Sequence, residues 1–294
     1  MGAGIAHLSA REELQAYLAA RDDADAAVGS HMRSQFLAGS GSDVVVLLHG
    51  LTASPPAWEA IAPLLHARGA SVVVPRLPLH GHSDRMTSAL RALTPDVLAE
   101  DLRELFVRVS ALGGRVTVVG HSLGGTLALF AATTLPGIDR VVAIAPFLGI
   151  SRVPYEMHRP LLAVLRVVPN LFLWWNPIDR MKNQPLHGYP RYPIRALSTG
   201  IVLAEAAVRN GVSGVHAIDL VLNGRESSVS NRAARRLVQT WRTSGASVGL
   251  HVLRGLPRSH DIIEPLRPHG VRTRAAIAAI VLDTHDGRDR MYEL

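Results

Sequence analysis

The sequence predicts an α/β fold: a mostly parallel central sheet flanked by helices, with an inserted helical cap. Three observations lead there. Short apolar runs rich in β-branched residues, such as Val44 to Leu48 and Val116 to Val119, lack polar alternation, as expected of strands buried on both faces. These runs alternate with longer segments of helical periodicity, which places helices on both sides of a parallel sheet. The rhythm breaks once, over residues 146–214, and then resumes.

Taken in order, residues 10–27 are rich in Ala, Leu and Glu and predict a helix. Arg33 to Ala38 is an early strand and Gly39 to Ser42 a turn. Val44 to Leu48 is a strand. Pro55 to Ala67 is a helix with Ser54 as its N-cap and Pro55 at the first helical position. Ser71 to Val74 is a strand, Pro95 to Ala111 an amphipathic helix capped by Thr94, Val116 to Val119 a strand, Leu123 to Leu135 a helix and Val141 to Ala145 a strand. Residues 146–214 hold eight prolines, from Pro146 to Pro193, together with Trp174, Trp175, Tyr189 and Tyr192. The segment is too long for an ordinary loop and reads as an insertion over the sheet. Ile218 to Leu222 resumes the alternation, followed by the helix Ser230 to Thr243, the strand Val248 to Leu253 and a last helix from Gly270 to Leu282. The polar tail from Asp283 is expected to fray. Residues 1–145 and 215–294 then form one core, and 146–214 its cap.

A chain of 294 residues, 48% apolar, can bury one sizeable core. With no cysteine, disulfides, thiol catalysis and cysteine-held metals are excluded. The net charge of +7 comes almost wholly from arginine, Lys182 being the only lysine. The arginines are scattered. The densest group, Arg232, Arg235 and Arg236, has the spacing of a solvated helix face, so a nucleic-acid partner is not expected. Met1 to Ala10 lacks an apolar run behind a basic start, and no apolar stretch reaches the length of a membrane span. The expectation is a soluble, cytoplasmic chain with no membrane segment.

The chemistry centres on Gly120-His121-Ser122-Leu123-Gly124, a G-x-S-x-G between a strand and a helix. That context presents a serine hydroxyl at a strained turn, with helix N–H groups behind it. A serine needs a base, and the base needs an orienting carboxylate. In a parallel sheet all three belong just past the carboxyl ends of strands. His260 occupies the loop after the last strand and is the candidate base. His251 lies within a strand, His269 and His285 lie beyond the loop, and His121 adjoins Ser122 but should point away from the turn's tip. Glu226 follows the strand Ile218 to Leu222 and is the candidate acid, with Glu156 a weaker rival. Asp219 opens that strand and sits at its wrong end. The candidate oxyanion donors are the N–H groups of Leu123 and Leu51. Gly50 would allow the sharp turn before Leu51, and His49 would brace the loop.

Several stretches together resemble one family. Leu48-His49-Gly50-Leu51-Thr52-Ala53-Ser54-Pro55 resembles the oxyanion loop of bacterial carboxylesterases and monoacylglycerol-lipase-like α/β-hydrolases. Pro75-Arg76-Leu77-Pro78-Leu79-His80-Gly81-His82 resembles their P-x-x-P-G-H-G loop, with Leu79 in place of its glycine. Ser259-His260-Asp261-Ile262-Ile263 resembles their histidine loop, and Glu226 to Asn231 their D-x-x-V-x-N acid loop, with Glu for Asp. The resemblance covers about residues 43–145 and 215–282. It implies an α/β-hydrolase fold and a serine esterase whose triad is Ser122, Glu226 and His260, working without a cofactor on a small-molecule ester.

An apolar cap implies a hydrophobic acyl group. Leu165, Val168, Phe172 and Trp174 are the expected substrate-contacting residues within Leu161 to Trp175. Acyl transfer, carbon–carbon bond hydrolysis and a non-catalytic receptor remain alternatives on the same residues. His80, His82 and Asp84 fit no standard zinc spacing, so no metal is expected.

Overall fold

The computed structural model describes residues 9–294 apart from 182–184, 213, 266, 268 and 284. Lys182 and residues 1–8 of the start lie outside the described residues. Helix α1 spans Ala10–Asp23 and opens with a capping box between Ser9 and Glu12. Strands β1 (Gln35–Leu37) and β2 (Val44–Leu48) follow, then α2 (Ala62–His66), β3 (Ser71–Val74), α3 (Pro95–Ser110), β4 (Val116–His121), α4 (Leu123–Thr134) and β5 (Arg140–Ile144). Residues 146–214 contribute α5 (His158–Val167), β6 (Phe172–Trp174), β7 (Arg191–Pro193) and α6 (Ile194–Asn210). The chain closes with β8 (Ala217–Asn223), α7 (Asn231–Thr243), β9 (Val248–Arg254), α8 (Gly270–Leu282) and β10 (Arg290–Glu293).

Among the described residues eight strands form one sheet in the order β1-β3-β2-β4-β5-β8-β9-β10, with only β1 antiparallel. Successive residues of β2 serve opposite faces. Val44, Val46 and Leu48 join one apolar cluster and Val45 and Leu47 the other. Fully burying one such side chain stabilises by about 1.5–3 kcal/mol, which is why the run contains no polar residue. The carboxyl ends of β2, β4, β8 and β9 lie on one edge of the sheet, and the loops that follow them build the site. Within residues 146–214, β6 and β7 pair antiparallel as a separate small sheet. Helix α6 packs on α4 and adds Ala196, Leu203, Ala204 and Ala207 to the core beneath. No helix of the described residues is long and apolar enough to cross a membrane.

Two elements differ from the sequence expectation. The helix expected over Pro55 to Ala67 is a single 3-10 turn, Pro55–Trp58, and then the short α2. Pro63 has no N–H to give the Glu59 carbonyl, so a continuous helix is interrupted there. Ser54 makes no cap bond. Its hydroxyl instead donates to the His187 carbonyl at 2.6 Å, tying residues 146–214 to the loop after β2. The tail does not fray: β10 adds to β9 as a parallel edge strand. Arg290 pairs with Asp283 at 2.6 Å and Asp286 at 2.9 Å, and the Tyr292 hydroxyl bonds His251 at 3.0 Å.

Candidate active site

Ser122 stands between β4 and α4 at φ +55, ψ −118. A side chain on Gly120 would place its Cβ 2.0 Å from the Gly124 carbonyl oxygen, and one on Gly124 would come 2.1 Å from that of Leu48. The two glycines therefore let the turn close against its neighbours. The Ser122 N–H donates to the Ile144 carbonyl, and its own carbonyl accepts from Thr126 and Phe147 N–H groups. These bonds fix a conformation that non-glycine residues seldom adopt.

His260 Nε2 lies 2.8 Å from Ser122 Oγ, and His260 Nδ1 lies 3.1 Å from Glu226 Oε2. A carboxylate only accepts, so Nδ1–H donates to Glu226 and Nε2 of the neutral ring is free to accept from the serine hydroxyl. The Ser227 and Ser228 N–H groups donate to the other oxygen, Glu226 Oε1, at 2.7 and 2.8 Å. Burial pushes the Glu226 carboxyl up, but the His260 bond and those two backbone donors outweigh it and hold it below its ordinary value. Burial pushes His260 down, but the bond to Glu226 and the charges of Glu226 and Asp261 outweigh it and raise it above the ordinary histidine value. The rival Glu156 is exposed and pairs with Arg236 at 3.3 Å.

Two further residues brace the histidine loop: Asn223, which the sequence offers only as a turn residue, and His121, which was expected to point away from the turn's tip. Asn223, fully buried at the end of β8, donates from Nδ2 to the carbonyls of Pro257 and Ser259 at 3.1 and 2.7 Å. Its Oδ1 accepts from the Arg225 N–H, so one amide joins the acid turn to the histidine loop. In the sequence Asn223-Gly224 reads only as a turn. His121 makes no bond to Ser122 but does not leave the site: its Nε2–H donates to the His260 carbonyl at 3.0 Å. Burial, followed by the nearby His260, lowers His121 to about 4, so it stays neutral.

Leu51 and Leu123 flank the serine, and among the described residues neither backbone N–H donates to a protein acceptor. Gly50 opens the turn that the Ala53 N–H closes on its carbonyl, as read from the sequence, and it also allows a close approach to the serine. Its φ is not positive, and a Cβ there would meet Ser122 Cβ at 3.3 Å. The left-handed residue of this loop is Thr52, at φ +67. His49 accepts from the Leu77 N–H at Nε2, 3.0 Å, and its Nδ1 bonds the Gly50 carbonyl, so it joins two loops as a neutral ring. Leu79, standing where the related motif has glycine, also has a positive φ, +66.

Two cavities open onto Ser122. One, about 270 Å³, is walled by apolar groups including Leu51, Phe147, Ile150, Leu197 and Val229. The other, about 330 Å³, is the more polar of the two and includes His187, Glu264, Arg258 and Arg267. The expected cap residues Leu165, Val168, Phe172 and Trp174 line neither; Trp175 lines both. Phe172 and Trp174, two apart in β6, share one face of that strand, and Trp175 follows its end. Phe172 turns to the guanidinium groups of Arg91 and Arg191, and Trp174 to that of Arg180. Leu165 is buried on α5 and Val168 ends that helix. Among the described residues no cluster fit to hold a metal occurs. His80 bonds the Pro78 carbonyl, and His82 bonds Asp25 and Thr87.

The model of the alpha/beta hydrolase fold family matches residues 43–190. The magnesium-chelatase 30 kDa subunit of Rhodobacter capsulatus is 38% identical over 126 residues, 42% of each chain. The chain thus spans about two-fifths of that relative's length. Among solved structures it is similar to the metagenome-derived lipolytic enzymes LipS and LipT (20% identity, TM-score 0.67, 86% of this chain and 98% of that one). It is likewise similar to the monoacylglycerol lipase of Paleococcus ferrophilus (20% identity, TM-score 0.65, 84% and 97%). At that identity the likeness is one of fold.

Proposed function

The chain belongs to the α/β-hydrolase-fold family, and on that premise we propose that it is a serine carboxylic-ester hydrolase acting on esters with a hydrophobic acyl group. The observation that carries this reading is the unbroken run of hydrogen bonds from Ser122 Oγ through His260 to Glu226, at 2.8 and 3.1 Å. Ser122 Oγ attacks the ester carbonyl while His260 Nε2 takes its proton. Glu226 holds the ring in the required tautomer and stabilises the imidazolium. The N–H groups of Leu51 and Leu123 stabilise the tetrahedral oxyanion. His260 then returns the proton to the departing alcohol oxygen, leaving an acyl-enzyme on Ser122. Water, deprotonated by the same nitrogen, attacks that acyl group, and the imidazolium returns the proton to Ser122 Oγ as the acid departs.

In this reading residues 146–214 cap a core made of 1–145 and 215–294. The apolar cavity takes the acyl chain and the polar one the alcohol side. The lipolytic activity named for LipS and LipT fits a hydrophobic acyl group. The test is a series of p-nitrophenyl esters of graded chain length with wild type and Ser122→Ala, together with fluorophosphonate labelling. Turnover and labelling that both vanish in the variant support the proposal; an ester activity that survives it overturns the proposal.

A further inference from the structure

The turn Gly50-Leu51-Thr52-Ala53 is closed by the Ala53 N–H on the Gly50 carbonyl at 3.2 Å, and its third residue is Thr52, at φ +67. Glycine or asparagine favours that place, and a β-branched residue there is strained. Such a residue keeps its conformation only where its surroundings over-determine it. Thr52 is buried, and the bonds to its side-chain and carbonyl oxygens come from the insertion. Trp175 Nε1–H donates to Thr52 Oγ1 at 2.8 Å, and the Tyr189 backbone N–H donates to the Thr52 carbonyl at 2.8 Å.

Both donors are themselves held. The Trp175 ring lies 4.1 Å from that of Tyr192, and its backbone N–H donates to the Pro190 carbonyl. Around Tyr189, Arg85 donates to the carbonyls of Pro185 and Gly188, each at 2.9 Å. The Tyr189 hydroxyl accepts from the His82 N–H at 2.8 Å and donates to the Leu79 carbonyl at 3.2 Å.

We infer that Trp175 and Tyr189 are positioning residues for the oxyanion loop: by clamping Thr52 in its left-handed conformation they aim the Leu51 N–H at the carbonyl attacked by Ser122. The inference rests on the hydrolase reading above and adds to it that the insertion completes the catalytic geometry as well as covering the pocket. Relaxing Thr52 to a negative φ would open the turn and carry the Leu51 amide away. The transition state would lose that donor while the ground-state ester kept its apolar contacts.

The experiment separates a positioning role from a lining role. Trp175→Phe keeps an aromatic ring against Tyr192 and removes the indole N–H; Thr52→Val keeps the β-branch and removes the acceptor. Each should lower kcat on p-nitrophenyl acetate by about 10–100-fold with KM nearly unchanged, toward the loss expected for one oxyanion donor. The same factor should appear on the octanoate ester, and the double variant should lose no more than either single one. In a Thr52→Gly background, where the positive φ needs no help, Trp175→Phe should cost little. A loss expressed in KM and growing with chain length, or additive losses in the double variant, would overturn the inference. Hydrogen exchange at the Ala53 amide gives a readout that needs no turnover. At least about tenfold faster exchange in Trp175→Phe supports the clamp, since it reports freer opening of the turn; unchanged exchange sinks it. A wild type inactive on every ester would defeat the hydrolase reading and leave that exchange measurement to decide the clamp.

Discussion

Strands β8 and β9, with the loops after them, carry two carboxylate–histidine pairs, and each pair meets a hydroxyl from another element, with the imidazole reversed between the two. At the carboxyl end stand Glu226, His260 and Ser122. Toward the other end stand Asp219, His251 and Tyr292, with His251 Nε2 2.9 Å from Asp219 and His251 Nδ1 3.0 Å from the Tyr292 hydroxyl. Both carboxylates are buried and both are held below their ordinary values. The surroundings differ. Asp219 Oδ1 also takes His285 at 2.9 Å, and Oδ2 takes Arg140 Nε and Nη2 at 2.9 and 2.6 Å, so its acceptors are filled by core groups. Glu226 gives one oxygen to loop amides and the other to His260 alone. Ser122 starts a helix and opens on two cavities, whereas Tyr292 sits on an edge strand that its bond helps to dock. In the reading proposed above, the two cavities at Ser122 and the Leu51 and Leu123 N–H groups beside it make that relay the catalytic one, while the Tyr292 relay docks the edge strand.

The largest effect that separates the two sets is loss of the hydroxyl. Ser122→Ala should lower ester turnover by on the order of 10⁶-fold, while Tyr292→Phe leaves turnover intact and lowers the melting temperature. Steady-state rates and thermal denaturation of both variants decide this. Activity surviving in Ser122→Ala breaks the comparison.

Next comes the carboxylate. Glu226→Gln should cost roughly 10³–10⁴-fold in kcat, because the amide favours the wrong histidine tautomer; Glu156→Gln should cost nothing measurable. At the other end, Asp219→Asn should destabilise by about 3–5 kcal/mol in urea unfolding, since Arg140 is left buried without its counter-charge. Its kcat in the folded fraction should stay near wild type. Burial raises Asp219, but the His251 bond and Arg140 outweigh it and bring it to about 2, against an ordinary 3.8. The stability it contributes is therefore complete above the ordinary value and is lost as pH falls toward about 2.

The pH dependence gives a smaller effect. His260 must be neutral to accept the serine proton, and its pKa is raised above the ordinary 6.5. The acidic limb of kcat/KM should lie above that value, with activity lost as pH falls through it. Glu226→Gln should move the limb downward. A limb at or below 6.5 in the wild type would mean that Glu226 does not govern the base.

The smallest effect concerns the cavity wall. Each further acyl methylene should gain about 0.8 kcal/mol until the apolar cavity is full. Leu197→Ser should flatten that gradient across the p-nitrophenyl series, and Phe172→Ala, facing the arginines, should leave it unchanged. A gradient that responds to Phe172 and ignores Leu197 would put the acyl chain elsewhere.

Local pattern carried most of the scaffold. Unbroken apolar runs such as Val44–Leu48 mark the parallel strands, because burial on both faces leaves no place for polar side chains. The positions of Ser122, Glu226 and His260 after their strands follow from sheet topology, which puts strand ends and the loops after them on one edge. What stayed hidden depends on partners distant in the chain. Trp175 rather than Trp174 lines the cavities at the serine, and an apolar composition holds no sign of which of two adjacent tryptophans does so. Thr52 adopts a glycine-like turn because donors more than 100 residues away hold it there. Asn223 reads as a turn residue until the loop before His260 folds over it. The tail becomes β10 only when β9 offers its open edge and Arg290 finds Asp283 and Asp286. Periodicity records which face of a segment avoids water; which groups then meet across the core is set by packing and long-range hydrogen bonds, and these arise only when the segments come together.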